Sequence, residues 1–240
     1  MNTISKIAVI GAMGCEIEDV KKEMIDLKEE NYADLKIFTG TINNKFIILA
    51  QSGVGKVNAA LTTQYIIDIF KPNIIINTGV AGGIADGIDV GDIVIGTYLV
   101  QYDFDVTALG YARGYMITGE EKDKPTKYYC DKQLIEKFQT SLEKNMPKEK
   151  IHQGIIASGD KFLSGMEIKK EINDYFGAIA VEMEGCAIAQ VATRNKIPFV
   201  VTRAISDLAD GKVAEYQTEF EMKVSQISAK TIKLFLQNLQ

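Results

Sequence analysis

Ala178-Ile179-Ala180-Val181-Glu182-Met183-Glu184-Gly185 places two glutamates in an otherwise apolar run. A short run of this kind reads as a strand, and strand alternation puts Glu182 and Glu184 on one face and Met183 on the other. An unpaired charge in such a setting costs several kcal/mol unless it is partnered or used. A second run, Val200-Val201-Thr202-Arg203-Ala204-Ile205-Ser206-Asp207, adds an arginine and an aspartate. Acid groups aligned at the ends of buried strands point to an active site.

Working outward, further β-rich runs occur at Ile7–Ile10, Phe46–Ala50, Ile74–Ile76, Asp92–Ile95, Ile155–Ala157, Ile179–Val181 and Phe199–Val201. Several are apolar on both faces, as strands are when helices cover both sides of a sheet. Helical periodicity falls between them: Ile17, Val20, Met24 and Leu27 follow the 3.6-residue repeat, as do Phe220, Val224, Ile227, Leu234 and the adjacent Phe235. Ser164-Gly165-Met166-Glu167 reads as a capping box opening a helix that carries Ile168 and Ile172 on one face, and another helix ends before Pro198. The polar stretch Thr118–Lys127 reads as an exposed loop. The fold class is α/β, and 240 residues of ordinary globular composition, 46% hydrophobic and 25% charged, fit a single domain spanning 1–240.

The net charge of -5 argues against a phosphate-tracking surface, so nucleic acid is not an expected partner, and small neutral or cationic ligands fit better. Cys15, Cys130 and Cys186 show no metal-type spacing, and the single His152 rules out a histidine-rich metal site. A reduced, cytoplasmic protein without a membrane segment is the expectation. His152 reads as a surface residue, and Cys15 and Cys186 as small buried hydrophobes.

Glycines cluster after three strands, at Gly11 and Gly14, at Gly53 and Gly55, and at Gly79, Gly82 and Gly83. Each could be a tight turn; three clusters together fit a ligand held at strand ends. Gly53-Val54-Gly55-Lys56 looks like the tail of a P-loop, but Val57 stands where magnesium needs Ser or Thr, and Ala50 replaces the first glycine. Gly11-Ala12-Met13-Gly14 lacks dinucleotide-fingerprint spacing. Taken alone, Glu16 reads as a helix-start acid that favours the macrodipole, and Glu182 as a structural acid paired with Arg203. Glu184 and Asp207 lie at strand ends, where a functional reading is stronger. Phe162 fits either a core or a platform for a flat base.

Taken in order, Gly11-Ala12-Met13 with Glu16, Ser52-Gly53-Val54-Gly55-Lys56, Asn77-Thr78-Gly79-Val80-Ala81-Gly82-Gly83, Asp105-Val106-Thr107, Ser158-Gly159-Asp160-Lys161-Phe162, Val181-Glu182-Met183-Glu184 and Arg203-Ala204-Ile205-Ser206-Asp207 span almost the whole chain. This series resembles the bacterial 5′-methylthioadenosine/S-adenosylhomocysteine nucleosidases, hydrolases of the nucleoside phosphorylase superfamily. The resemblance implies a three-layer α/β/α sandwich around a mixed, partly barrel-like sheet, a homodimer, adenine nucleosides as substrates, and no metal or organic cofactor. By position, it makes Glu16 the base that activates water, Asp207 the acid that protonates adenine at N7, and Glu184 the ligand of the ribose hydroxyls. Met183 packs on the ribose, Phe162 stacks on adenine, and the backbone of Leu163 bonds the base edge. Arg203 helps place the water or Glu182, and Leu109 reaches the 5′ pocket from the partner chain. Val54, Ala81, Gly82 and Ser206 complete the expected substrate-binding set.

The chain departs from the family at Val80, often a serine, and at Tyr102, near a place often held by histidine; Tyr216 is the candidate aromatic lid. Cleavage of a glycosidic bond passes through an oxocarbenium-like state, so carboxylates beside the sugar and an acid at the departing base fit the chemistry. A purine nucleoside phosphorylase would instead need a cationic phosphate cradle, which the first and third loops, with Glu16, Glu18, Asn77 and Val80, do not supply. A non-catalytic nucleoside-binding protein would not require the full acid set. The 5′ substituent, whether methylthio, homocysteinyl, deoxy or that of aminodeoxyfutalosine, stays open.

Overall fold

Ile7, Ala8, Val9 and Ile10 are completely buried in β1 (Lys6–Gly11), which fixes this strand at the centre of a covered sheet. A computed structural model describes residues 5–117, 121–147, 150–209 and 219–239. In it β1 runs parallel to β4 (Lys45–Gln51) on one side and to β5 (Ile74–Asn77) on the other. Beyond β4 the sheet continues antiparallel through β3 (Leu35–Ile42) to an edge strand, β2 (Ile25–Tyr32). Each fully buried branched side chain contributes about 1.5–3 kcal/mol of burial, so this isoleucine-rich wing is a main source of stability.

On the other side of β5 lies β11 (Phe199–Asp207), and this strand changes partners along its length. Phe199–Val201 pair with β5. Thr202–Ala204 then pair antiparallel with β7 (Ile93–Gln101), while Ala204–Asp207 pair with β6 (Val80–Gly83). From β6 the ladder passes antiparallel to β10 (Ala178–Glu182), parallel to β9 (Ile151–Ser158), and parallel back to β7. Five strands thereby close into a ring, and a two-residue β8 (Tyr128–Tyr129) hangs on β7. The central sheet is an open wing joined to a small closed barrel, with β11 common to both.

The helices are α1 (Gly14–Lys22), α2 (Lys56–Phe70), α3 (Lys132–Glu143), α4 (Met166–Phe176), α5 (Gly185–Arg194) and α6 (Glu219–Asn238). α6 packs on α1 and α3, the latter through stacked Phe138 and Phe235 rings, and α2 packs on α5, which gives the two helical layers of an α/β/α sandwich. A satellite apolar cluster, including Leu163, Ile172, Phe176, Val181 and Ala209, fills the space under α4.

Two local expectations are corrected. The periodicity that carried the first helix to Leu27 stops at Lys22, where Glu23 caps it, and Leu27 lies on β2, which begins at Ile25 and bulges against β3 where Asp26 takes a left-handed conformation. The capping box at Ser164 does not form. Gly165 turns with φ of 144° and donates its N–H to the carbonyl of Ala209, so α4 begins at Met166 with no side-chain cap. Tyr216 lies outside the described residues.

Candidate active site

The cavity of about 230 Å³ at the strand ends is bounded by both halves of the sheet. From the wing come Ala12, Met13 and Glu16 at the start of α1, and Val54 before α2. From the ring come Val80, Ala81 and Gly82 on β6, Val181, Glu182, Met183 and Glu184 at the end of β10, and Ser206, Asp207 and Ala209 at the end of β11. Lys161, Phe162 and Leu163 close it from the loop after β9.

Glu16 is the third residue of α1, and its carboxylate turns back on the helix start. Oε2 accepts the N–H groups of Ala12 at 2.7 Å and Met13 at 2.9 Å, and Oε1 accepts that of Val80 at 3.1 Å. It therefore does serve the helix terminus, while also facing the cavity. Burial pushes its carboxyl above the ordinary value, against the downward pull of those N–H groups and of Arg203. Gly79 makes the approach possible, since a Cβ there would lie 2.8 Å from Oε1.

Asp207 owes its aim to an irregularity. The register between β11 and β6 slips between Ile205 and Asp207, and such a bulge re-aims the side chains beside it. Oδ2 accepts the Ser206 hydroxyl at 2.9 Å and Oδ1 the Ala209 N–H at 2.8 Å. A Cβ on Gly82 would come within 3.0 Å of Oδ1, so glycine again clears the space for a carboxylate.

The two glutamates of β10 part company. Glu182 accepts from Arg203 Nη2, from the backbone N–H of Glu184 and Gly185, and from Ser158, so every bond it makes is to the protein. Arg203 also bonds Asn77 and the carbonyl of Thr202, which locks β5, β10 and β11 together where wing meets ring. Among the described residues the Glu184 carboxylate has one hydrogen-bond partner, the Gly55 N–H at 2.7 Å. Burial, then the neighbouring Glu182 charge, push its carboxyl up to about 7. A carboxylate with unused acceptor capacity at the cavity wall is ready for a hydroxyl ligand.

Of the residues singled out in the sequence, Glu16, Val54, Ala81, Gly82, Phe162, Leu163, Met183, Glu184, Ser206 and Asp207 share this one cavity. Phe162 is 56% exposed, a face free to stack, whereas Leu163 is buried behind it. Two residues are not brought in. Arg203 is buried beneath the floor through its bond to Glu182, and Leu109, 70% exposed on a short turn (Thr107–Leu109), does not reach the cavity of a single chain. Ala12, Lys161 and Val181, which stand inside the quoted sequence blocks without an assigned role, and Ala209, which stands in none, also line the cavity. Cys15 is exposed, contrary to expectation, because it sits on the open side of the first turn of α1; Cys186 is buried, and burial lifts its thiol well up. His152 is tied to Asp92 at 2.9 Å and does not line the cavity. Among the described residues no cluster of His, Cys, Asp and Glu is arranged to hold a metal, and no helix is long and apolar enough to cross a membrane.

Residues 6–239 match the family model described as the Phosphorylase superfamily. The 5′-methylthioadenosine/S-adenosylhomocysteine nucleosidase of Staphylococcus epidermidis is 38% identical over 234 residues, 97% of this chain and 100% of that protein. The nucleosidase of Neisseria meningitidis, solved in complex with methylthio-immucillin-A, superposes with a TM-score of 0.90 at 39% identity, covering 98% of this chain and 100% of that one. The futalosine hydrolase of Helicobacter pylori superposes with a TM-score of 0.90 at 31% identity, covering 98% and 99%.

Proposed function

The chain belongs to the phosphorylase superfamily and, within it, to the 5′-methylthioadenosine/S-adenosylhomocysteine nucleosidases, and from that premise we propose how its residues divide the reaction. The protein hydrolyses the N-glycosidic bond of 5′-methylthioadenosine and S-adenosylhomocysteine, releasing adenine and the 5′-substituted ribose. The observation that carries this reading is one cavity lined by four acidic residues, of which Glu182 is committed to Arg203 while Glu16, Glu184 and Asp207 each have different partners.

In this reading Phe162 stacks on adenine and the backbone of Leu163 meets its edge. Asp207, aimed by the bulge of β11, delivers a proton to N7 as the base departs. Without that proton adenine would have to leave as an anion. Glu184 accepts hydrogen bonds from the ribose hydroxyls, and Met183 packs against the sugar. The negative charge of the Glu184 and Glu16 carboxylates favours the cationic sugar of the transition state. Glu16, buried and carrying a raised pKa, takes the proton of the attacking water. Val80 offers no hydroxyl to that water, so its orientation falls to Glu16 and to the backbone around it. Arg203 acts through Glu182 and not on substrate.

The 5′ group leaves the cavity past Val54, towards an apolar surface made by Val57, 77% exposed, and Leu61 on the first turns of α2. A second copy of the chain seated there would bring Leu109 to the pocket and complete it, so the working unit is a cytoplasmic homodimer. The likeness to a futalosine hydrolase leaves the 5′ preference to be measured: kcat/KM for methylthioadenosine, S-adenosylhomocysteine, 5′-deoxyadenosine and aminodeoxyfutalosine ranks the substituents.

The activity itself is tested by incubating the protein with methylthioadenosine in phosphate-free buffer and following free adenine. Adenine is expected without phosphate, and Asp207→Asn is expected to lower kcat by about 10²–10⁴-fold. Release that depends on added phosphate would mean a phosphorylase. The cavity argues against that, because Lys161 is the one basic side chain among its described lining residues and no cationic cradle surrounds Glu16. No release under either condition would leave a nucleoside-binding protein.

A further inference from the structure

The segment that resembles a P-loop tail, Gly53-Val54-Gly55-Lys56, has a use that the hydrolytic reading leaves unassigned. Gly53 and Gly55 adopt φ of 81° and 98°, turning the backbone N–H groups at the start of α2 outward as in an anion-binding nest. The anions they meet are two carboxylates of the protein itself. The Gly55 N–H bonds Glu184 Oε1 at 2.7 Å, and the Lys56 N–H bonds Asp160 Oδ1 at 2.8 Å. Lys56 Nζ reaches Asp103 Oδ1 at 2.6 Å and Gln101 Oε1 at 3.1 Å, with Asp160 Oδ2 at 3.9 Å. Asp103 in turn accepts the backbone N–H of Asp160 at 2.8 Å. Lys56 does not line the cavity and is only 17% exposed.

These bonds tie the start of α2 to both parts of the site, on the side away from β10, where the Gly159 N–H already bonds the Glu182 carbonyl at 3.1 Å. Asp160 lies two residues before Phe162, the surface for the base, and Gly55 holds Glu184, the ligand of the sugar. We infer that Lys56, with Asp103 and Asp160, is a positioning clamp that fixes the base-stacking loop relative to the ribose carboxylate, so that the two halves of a nucleoside are held at the separation set by their glycosidic bond. The inference rests on the nucleoside-hydrolase reading above. Lys56 touches neither half of the substrate; it sets the distance between the groups that do.

A clamp of this kind has a signature that a general loss of structure lacks. A base or a sugar presented alone can follow its own loosened loop, whereas an intact nucleoside must satisfy both at once. The probes are methylthioadenosine as substrate, and adenine and 5-methylthioribose as separate competitive inhibitors. In Lys56→Met, kcat/KM for methylthioadenosine is expected to fall by about 10²-fold, mostly through KM, while each fragment's inhibition constant changes by less than about threefold. Lys56→Arg restores most of the loss, since it can span the same two aspartates. Asp160→Asn, at a half-exposed position that tolerates the change, is expected to show the same pattern more weakly, and serves if Lys56→Met does not fold. Either fragment weakening as much as the nucleoside would confine Lys56 to one subsite and overturn the clamp; unchanged nucleoside kinetics in Lys56→Met would do the same. Absence of turnover in the unmutated protein would instead remove the enzymatic reading, so the two failures are told apart.

Discussion

The open wing and the closed ring are made of similar apolar strands, yet they keep register differently. In the wing, β1 runs beside β4 and β5 without a slip, and the register breaks only at the outer edge, where β2 slips against β3 between Ile25 and Lys28. In the ring, β11 slips against β6, β10 against β9, and β7 against β9. An unbroken parallel ladder packs well but presents its side chains in strict alternation. A bulge gives up ladder hydrogen bonds and gains freedom of aim. The wing is therefore the stabilising half and the ring the half that points groups at a ligand, with the cavity where they meet. Glu16 and the Gly55 N–H are the wing's contributions to it; Glu184, Asp207 and Phe162 are the ring's.

The junction itself is the place to break this division most severely. Arg203→Met leaves Glu182 buried without its cation, which is expected to cost about 3–5 kcal/mol in urea denaturation. Turnover should fall with it, because Glu182 holds the backbone N–H of Glu184. Ile48→Ala, in the middle of β4, is the matched control from the wing. It is expected to cost about 2–5 kcal/mol of stability while kcat at a temperature where the protein stays folded is retained. A large loss of kcat in Ile48→Ala would show that the wing's packing and the chemistry are not separable.

A smaller effect sharpens the ring side. With its carboxyl lifted from 4.5 to about 7, Glu184 binds a proton more tightly in the native state than in the unfolded chain. Its contribution to stability is thus full below the unfolded value and is lost as pH rises through about 7. Glu184→Gln, which cannot ionise, should gain stability relative to the unmutated protein between about pH 5 and pH 8, read from denaturation midpoints at each pH. The same titration appears in function: kcat/KM of the unmutated protein is expected to fall as pH drops below about 7, where Glu184 gains a proton and becomes a weaker, uncharged acceptor for the ribose hydroxyls. A kcat/KM that stays flat down to about pH 5 would remove Glu184 from sugar binding.

The wing was legible in sequence where it is most regular: Ile7–Ile10, Phe46–Ala50 and Ile74–Ile76 read as strands because both of their faces are covered. β2 was not, since it is an edge strand with Lys28, Glu29 and Glu30 in its middle, and Leu27 happens to continue the helical repeat of Ile17, Val20 and Met24. β6 was missed because Val80-Ala81-Gly82-Gly83 is half glycine, which reads as a turn and here gives Asp207 room. The carboxylates of the site could be found from their positions at strand ends together with the resemblance to a known family. Ala209 could not, because the chain path beyond β11 and the satellite cluster bring it to the cavity without a periodic mark, and nothing in the quoted blocks sets Lys161 and Val181 apart as lining residues. The segment set aside as a failed P-loop was half understood: its geometry is that of an anion nest, but the anions belong to the protein.

The central claim is that a carboxylate from the wing and one from the ring act on the same substrate. The direct measurement is single-turnover cleavage of methylthioadenosine by Glu16→Gln, alongside the dissociation constant of the same variant for a non-hydrolysable nucleoside analogue. The chemical step is expected to slow by about 10²–10⁴-fold while affinity changes by less than about tenfold. Cleavage at the unmutated rate would show that Glu16 serves only the start of α1 and that the ring works without the wing.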